Sequence, residues 1–163
     1  MKALLIGCGG IGAMYDLETE GIHTHAKALK ALAIDFDVYD TDTELAKKIA
    51  AVYSVKYLDR FKEDDLTNYT SVHICAPNEF HFFYLDACLK KNVPKIICEK
   101  PITLKMAELL ELEEKYRVSS SQVFVNYIRR FLPDFIFLKE LITPHLNHIQ
   151  PYIYSILFRI LYY

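Results

Sequence analysis

The chain has 163 residues, 52% of them apolar, with 19 Lys and Arg against 21 Asp and Glu and a formal net charge of −2. That length is about one domain, able to bury roughly two-thirds of its unfolded surface with no disulfide or metal staple. The scattered, near-neutral charge argues against a nucleic-acid partner, and no run of about 18 uncharged apolar residues offers a membrane span.

The first predicted element is a buried strand, KALLIG (2–7), which leads directly into Gly7-Cys8-Gly9-Gly10-Ile11-Gly12. A helix-like distribution of Ala and Leu follows from Ile11 to Leu32, with a short loop inserted around Glu20-Gly21 before the helix proper. DFDVYDTD (35–42) reads as a strand ending in acidic turn residues. Thr43 to Val52 reads as a helix, because Leu45, Ile49 and Val52 share one face. A short strand is expected near Val55 to Leu58, then a polar turn or helix, KEDDLTN.

SVHICAP (71–77) is a strand stopped by Pro77, and Asn78 is placed to cap a helix that runs to about Lys91. KIICEKP (95–101) is the next strand, again stopped by proline. Thr103 is the expected N-cap of a helix over Leu104 to Tyr116. SQVFVNY (121–127) is a further strand, and Phe131 to Leu141 a helix that tolerates Pro133 in its first turn. Strands alternating with helices of ten or more residues imply βαβ units, hence an α/β fold with a doubly wound parallel sheet of the Rossmann dinucleotide-binding kind. Residues 1–127 are assigned to that domain, and 128–163 to a C-terminal helix and apolar tail.

The four cysteines, Cys8, Cys75, Cys88 and Cys98, form no C-x-x-C pair or zinc spacing. They read as buried reduced thiols. The N-terminus enters its strand without a charged n-region, so no leader is expected and the expected compartment is the cytoplasm.

A G-x-G-x-x-G run is a weak signal unless it follows a strand and opens a helix, as it does here. Gly7 permits the tight turn, Gly9 lets backbone approach a pyrophosphate, and Gly12 lets the helix pack on the strand. Gly10 and Ile11 complete the candidate cradle. An acidic residue at the end of the second strand would accept the adenosine ribose hydroxyls. Asp40 fits best, with Asp42 second, and a carboxylate there favours NAD over NADP.

Ligands of doubly wound sheets bind outside the carboxyl ends of the strands. Two polar clusters lie there, Ala76-Pro77-Asn78-Glu79 with His81, and Glu99-Lys100 before Pro101. A lysine at the mouth of an apolar strand can stabilise developing alkoxide charge on a substrate hydroxyl. A salt bridge from Lys100 to Glu99, and a core-edge place for His81, are the plainer alternatives.

GCGGIGAMY, HTHAKAL, VYDTD, VHICAPNEFH, IICEKPIT and VNYIRRFLPDF together resemble the glucose–fructose oxidoreductase and inositol dehydrogenase (Gfo/Idh/MocA) family over residues 1 to about 142. The resemblance implies an NAD(P)-dependent oxidoreductase acting on sugars, inositols or related polyols. By position, Gly7, Gly9 and Gly12 would hold the pyrophosphate and Asp40 the adenosine ribose. Ala76, Pro77, Asn78 and His81 would line the dinucleotide, and Glu99 the nicotinamide ribose. Lys100 would be catalytic, with Asn126 and Arg129 near the cofactor–substrate boundary. A cis Lys100–Pro101 bond is also implied.

Family members look about twice as long, with a second domain that holds substrate and supplies a catalytic Asp and His. TPHLNHIQPYIYSILFRILYY (143–163) carries no acidic residue and no glycine, and does not read as the start of that domain. The substrate domain is therefore expected to be missing, through truncation or a frame shift near residue 143. The alternative to a working enzyme is a remnant that binds NAD or a partner without turnover. The apolar tail is expected to pair copies of the chain in a homo-oligomer, and HLNH (145–148) is a weak alternative metal pair.

Overall fold

A computed structural model describes residues 1–128 and 132–142. Arg129, the HLNH segment and the tail of 143–163 lie outside the described residues.

Six strands, β1 (Lys2–Ile6), β2 (Asp35–Tyr39), β3 (Lys56–Tyr57), β4 (Ser71–Ile74), β5 (Lys95–Glu99) and β6 (Gln122–Asn126), form one sheet in the order β3-β2-β1-β4-β5-β6. The pairs β1–β2, β1–β4, β2–β3 and β4–β5 are parallel. Five helices are described: α1 (His25–Ala31), α2 (Thr43–Tyr53), α3 (His81–Lys90), α4 (Met106–Val118) and α5 (Pro133–Ile142). This is the doubly wound order, with its reversal between β1 and β4.

The sheet forms because its central strand is apolar on both sides. Ala3, Leu4, Leu5 and Ile6 are each at most 1% exposed, as a parallel strand covered on both faces requires. Alternation then sorts them into two cores. Leu4 and Ile6 join Val72, Ile74 and Ile96 under Leu85 and Leu89 of α3. Ala3 and Leu5 join Phe36 and Val38 beneath Leu29 of α1 and Ile49 of α2. All four cysteines are buried and unpaired. Contacts divide the chain into a unit of Met1–Val125 and a second of Asn126–Tyr163, and α5 opens with Pro133 in its first turn.

The loop expected around Glu20-Gly21 is present and is longer than a short insertion. One π-helical turn, Gly10–Met14, is followed by a turn-rich loop before α1 begins. Buried Asp16 organises that loop: its carboxylate accepts from His23 N (2.6 Å), Thr24 N (2.8 Å) and Thr24 Oγ1 (2.8 Å). Thr24 Oγ1 in turn accepts from Lys27 N and caps α1. Burial pushes the Asp16 pKa up, but the three hydrogen bonds and the nearby Lys27 ammonium outweigh it and hold the carboxyl below its ordinary value.

Asp16→Asn replaces one of the two acceptor oxygens by an NH2 group and removes the negative charge, and is expected to cost about 1–3 kcal/mol in urea denaturation at pH 7. Because the folded pKa is lowered, the Asp16 contribution is present above the unfolded-state pKa. It is lost as pH falls through the folded value, so the gap between wild type and variant should close in acid. A gap independent of pH would contradict this account.

Two predicted caps are corrected. Asn78 opens a 3₁₀ turn, Asn78–Phe80, and α3 starts only at His81 with no side-chain cap. Helix α4 starts at Met106, later than expected, because Thr103 sits one turn ahead of it. Thr103 Oγ1 donates to Glu108 Oε2 and accepts from Lys105 N, organising the approach to the helix.

Candidate functional site

The glycine loop leaves β1 at the strand-order reversal. Gly7 has φ +93°, and a Cβ there would lie 2.5 Å from Cys75 C and 2.6 Å from Ala76 N. Only glycine allows the ends of β1 and β4 to meet this closely. A Cβ on Gly12 would lie deep inside van der Waals contact with the Gly7 carbonyl oxygen, so the π-helical turn can fold back on β1 only with glycine there. Gly9 is different: a Cβ on it would meet nothing within 4 Å. The loop therefore presents bare backbone to open space at Gly9. The N–H groups of Gly10, Ile11 and Gly12 lie in the first turn, where no intrahelical acceptor exists.

The end of β2 turns back on this loop. Asp40 Oδ2 accepts from Cys8 N (2.6 Å), and Asp40 Oδ1 accepts from Asp42 N (2.9 Å). Each oxygen keeps a further lone pair for a hydroxyl donor. Asp42, the second acidic candidate, is committed elsewhere: its Oδ1 accepts from Glu44 N and Leu45 N as the N-cap of α2. Burial, and secondarily the Asp40 charge, push the Cys8 thiol up to about 12, so it stays protonated beside the loop. A cleft of about 50 Å³ opens here between Gly7, Asp40, Ala76, Pro77, Phe80 and Tyr84.

At the end of β4, Ala76 and Pro77 line this cleft and Asn78 is exposed. His81 is fully buried, with Nδ1 2.6 Å from Pro101 O and Nε2 2.8 Å from Ala76 O. The family resemblance implies a place for His81 along a dinucleotide; the ring is buried between the β4 loop and the loop after β5, within hydrogen-bonding distance of a carbonyl oxygen of each, which fits the plainer core-edge reading. Glu99 ends β5, where its Oε1 lies 2.9 Å from His25 Nε2, and His25 Nδ1 lies 2.9 Å from His73 Nδ1. Burial, with His25 as a lesser cause, pulls the His73 pKa down to about 3.

Lys100 is exposed, its bond to Pro101 is cis, and among the described residues it makes no salt bridge to Glu99. Asn126 ends β6. Among the described residues no cluster of His, Cys, Asp and Glu is arranged to hold a metal, and no helix is long and apolar enough to cross a membrane.

A sequence model described as an oxidoreductase family with an NAD-binding Rossmann fold, Gfo/Idh/MocA, matches residues 1–127. The chain belongs to this family. It is 26% identical over 144 residues to a myo-inositol 2-dehydrogenase of Thermotoga maritima, covering 86% of this chain and 40% of that protein. It is 28% identical over 148 residues to an inositol 2-dehydrogenase of Corynebacterium glutamicum, covering 86% and 41%. Among solved structures, a UDP-N-acetylglucosamine 3-dehydrogenase from Acidithiobacillus ferrooxidans superposes with TM-score 0.72 at 23% identity, over 86% of this chain and 41% of that one. A myo-inositol 2-dehydrogenase from Lactobacillus plantarum gives 0.72 at 17% identity, over 88% and 41%. These likenesses establish the fold. The chain spans about two-fifths of the length of the curated relatives it matches.

Within this Gfo/Idh/MocA Rossmann domain, sequence reasoning missed two residues. His25 stands inside HTHAKAL, where nothing in the local pattern marks it. His73 interrupts an otherwise apolar strand, SVHI, and that interruption was the available signal.

Proposed function

We propose that this chain binds a nicotinamide dinucleotide, NAD in preference to NADP, and takes part in oxidation or reduction at a hydroxyl or keto carbon of a sugar or polyol. The observation that carries the reading is the pairing of Gly9, open on its Cβ side, with the Asp40 carboxylate 2.6 Å from Cys8 N. Together they offer backbone N–H groups to a pyrophosphate and a carboxylate to ribose hydroxyls. Gly10 and Ile11 are assigned to the same cradle, Ala76 and Pro77 line the cleft beside Asp40, Asn78 follows β4, and Glu99, at the end of β5, is assigned to the nicotinamide ribose as the family resemblance implies. Asp40 disfavours a 2′-phosphate by charge repulsion. When bound, the dinucleotide supplies hydride acceptance or donation. Lys100 supplies an ammonium that holds a substrate oxygen and stabilises its negative charge. The inositol and sugar-nucleotide dehydrogenases among the relatives support the substrate class.

A fluorescence titration with NADH and NADPH tests this. NADH should bind more tightly than NADPH, and Asp40→Ala should weaken NADH about tenfold, the size of one lost charged hydrogen bond, while narrowing the preference. Absence of binding by either dinucleotide overturns the reading. Turnover of myo-inositol or a related polyol with NAD, lost in Lys100→Ala, supports the oxidoreductase part. Binding without turnover supports the second reading, a dinucleotide-binding chain that does not catalyse by itself.

A further inference from the structure

We propose that His73 is a positioning residue for Glu99, acting through His25: it fixes which nitrogen of His25 carries the proton, so that the other end of the ring holds the Glu99 carboxylate. The inference rests on the dinucleotide reading for its functional consequence, because Glu99 is there assigned to the nicotinamide side of the site.

The sheet register brings the three residues together. His73 pairs with Leu5 on one side and Ile97 on the other. Residues two apart on a strand share a face, so Glu99 lies on the same face as Ile97 and His73, one step nearer the carboxyl end. Helix α1 begins on that face with His25. Its ring meets His73 edge to face, with centroids 5.2 Å apart, and the His25 and Glu99 side chains are 10% and 12% exposed.

The proposal takes the His25 ring in its neutral form, and the proton count then follows from two distances. Glu99 Oε1 is an acceptor 2.9 Å from His25 Nε2, so that nitrogen carries hydrogen. A neutral imidazole has one N–H, which leaves His25 Nδ1 an acceptor. His73 Nδ1, 2.9 Å away, must then be the donor. The low pKa of His73 keeps its ring neutral, so it contributes one N–H and no charge. The chain reads His73 Nδ1–H to His25 Nδ1, then His25 Nε2–H to Glu99. Without His73 the opposite tautomer of His25 becomes available, and that tautomer offers Glu99 a lone pair instead of a donor.

Imidazole ¹⁵N–¹H correlation spectra of the full chain read the tautomers directly, with no cofactor present. Wild type should show His25 protonated at Nε2 alone and His73 at Nδ1 alone. His73→Leu should give a mixture at His25. His73→Gln, which keeps an N–H donor, should restore the wild-type pattern and guards against a leucine variant that fails to fold. NADH affinity should fall about three- to tenfold in His73→Leu and stay within about twofold in His73→Gln, the span of one hydrogen bond. A wild-type His25 protonated at Nδ1, or at both nitrogens, overturns the proposal, as does an unchanged His25 tautomer in His73→Leu. Wild-type protein with the assigned tautomers that binds no NADH upholds this arrangement and overturns the dinucleotide reading.

Discussion

Replacing Gly12 by alanine is expected to lower the melting temperature by about 2–12 °C and to weaken NADH binding by at least about tenfold. The obstacle to the new methyl group is the Gly7 carbonyl oxygen, with the Gly7 carbon at 3.0 Å behind it. Both are backbone atoms of the glycine loop, so no side chain can swing aside. Either the loop or the π-helical turn must move, and overpacking of that kind costs about 1–3 kcal/mol, sometimes more. For a chain of this size each kcal/mol lowers the melting temperature by about 2–4 °C. Gly9→Ala is the matched control. Its φ of −67° suits any residue and its Cβ would enter open space, so stability should stay within about 0.5 kcal/mol. NADH affinity should nevertheless fall, because the proposed dinucleotide reading brings the pyrophosphate into that open space. Scanning calorimetry and the NADH titration, run on both variants, separate the two effects. Undiminished affinity in Gly9→Ala would remove the loop from the site.

The contrast between these glycines marks what could be read from sequence. A strand, a glycine run and a helix in that order already imply a β-turn-α unit, and the apolar runs of KALLIG, SVHI and KIIC define the sheet. Which glycine serves packing and which serves a ligand depends on what each Cβ would touch across the sheet. The choice between Asp40 and Asp42 is of the same kind. Both are carboxylates at the end of one strand, and only the capping of α2 by Asp42 releases Asp40 to face the loop. Helices α3 and α4 start later than their best cap residues suggest, for a local reason. Asn78 and Thr103 are good cap types, but a 3₁₀ turn and an approach segment held by Glu108 intervene. His73 was invisible because a single polar residue on a strand has no period, and its partner His25 lies 48 residues away.

His81 offers the second large effect, and one that distinguishes packing from ligand contact. A histidine lining the dinucleotide would, when replaced, cost affinity and leave the stability of the free protein unchanged. The observed ring is fully buried, and it lies within hydrogen-bonding distance of carbonyl oxygens on two separate loops, Ala76 after β4 and Pro101 after β5. His81→Leu fills similar space but leaves both carbonyls facing an apolar group. A neutral imidazole carries one N–H and donates to one of the two carbonyls, so losing that buried hydrogen bond should cost about 1–3 kcal/mol, or about 2–12 °C in melting temperature. The loss should appear in the absence of any dinucleotide. The consequence for Lys100 is indirect, since its neighbour Pro101 is one of the two anchored residues. Polyol turnover, where present, should therefore fall further than NADH affinity does. Affinity lost at unchanged melting temperature would return His81 to the dinucleotide, where the family resemblance places it.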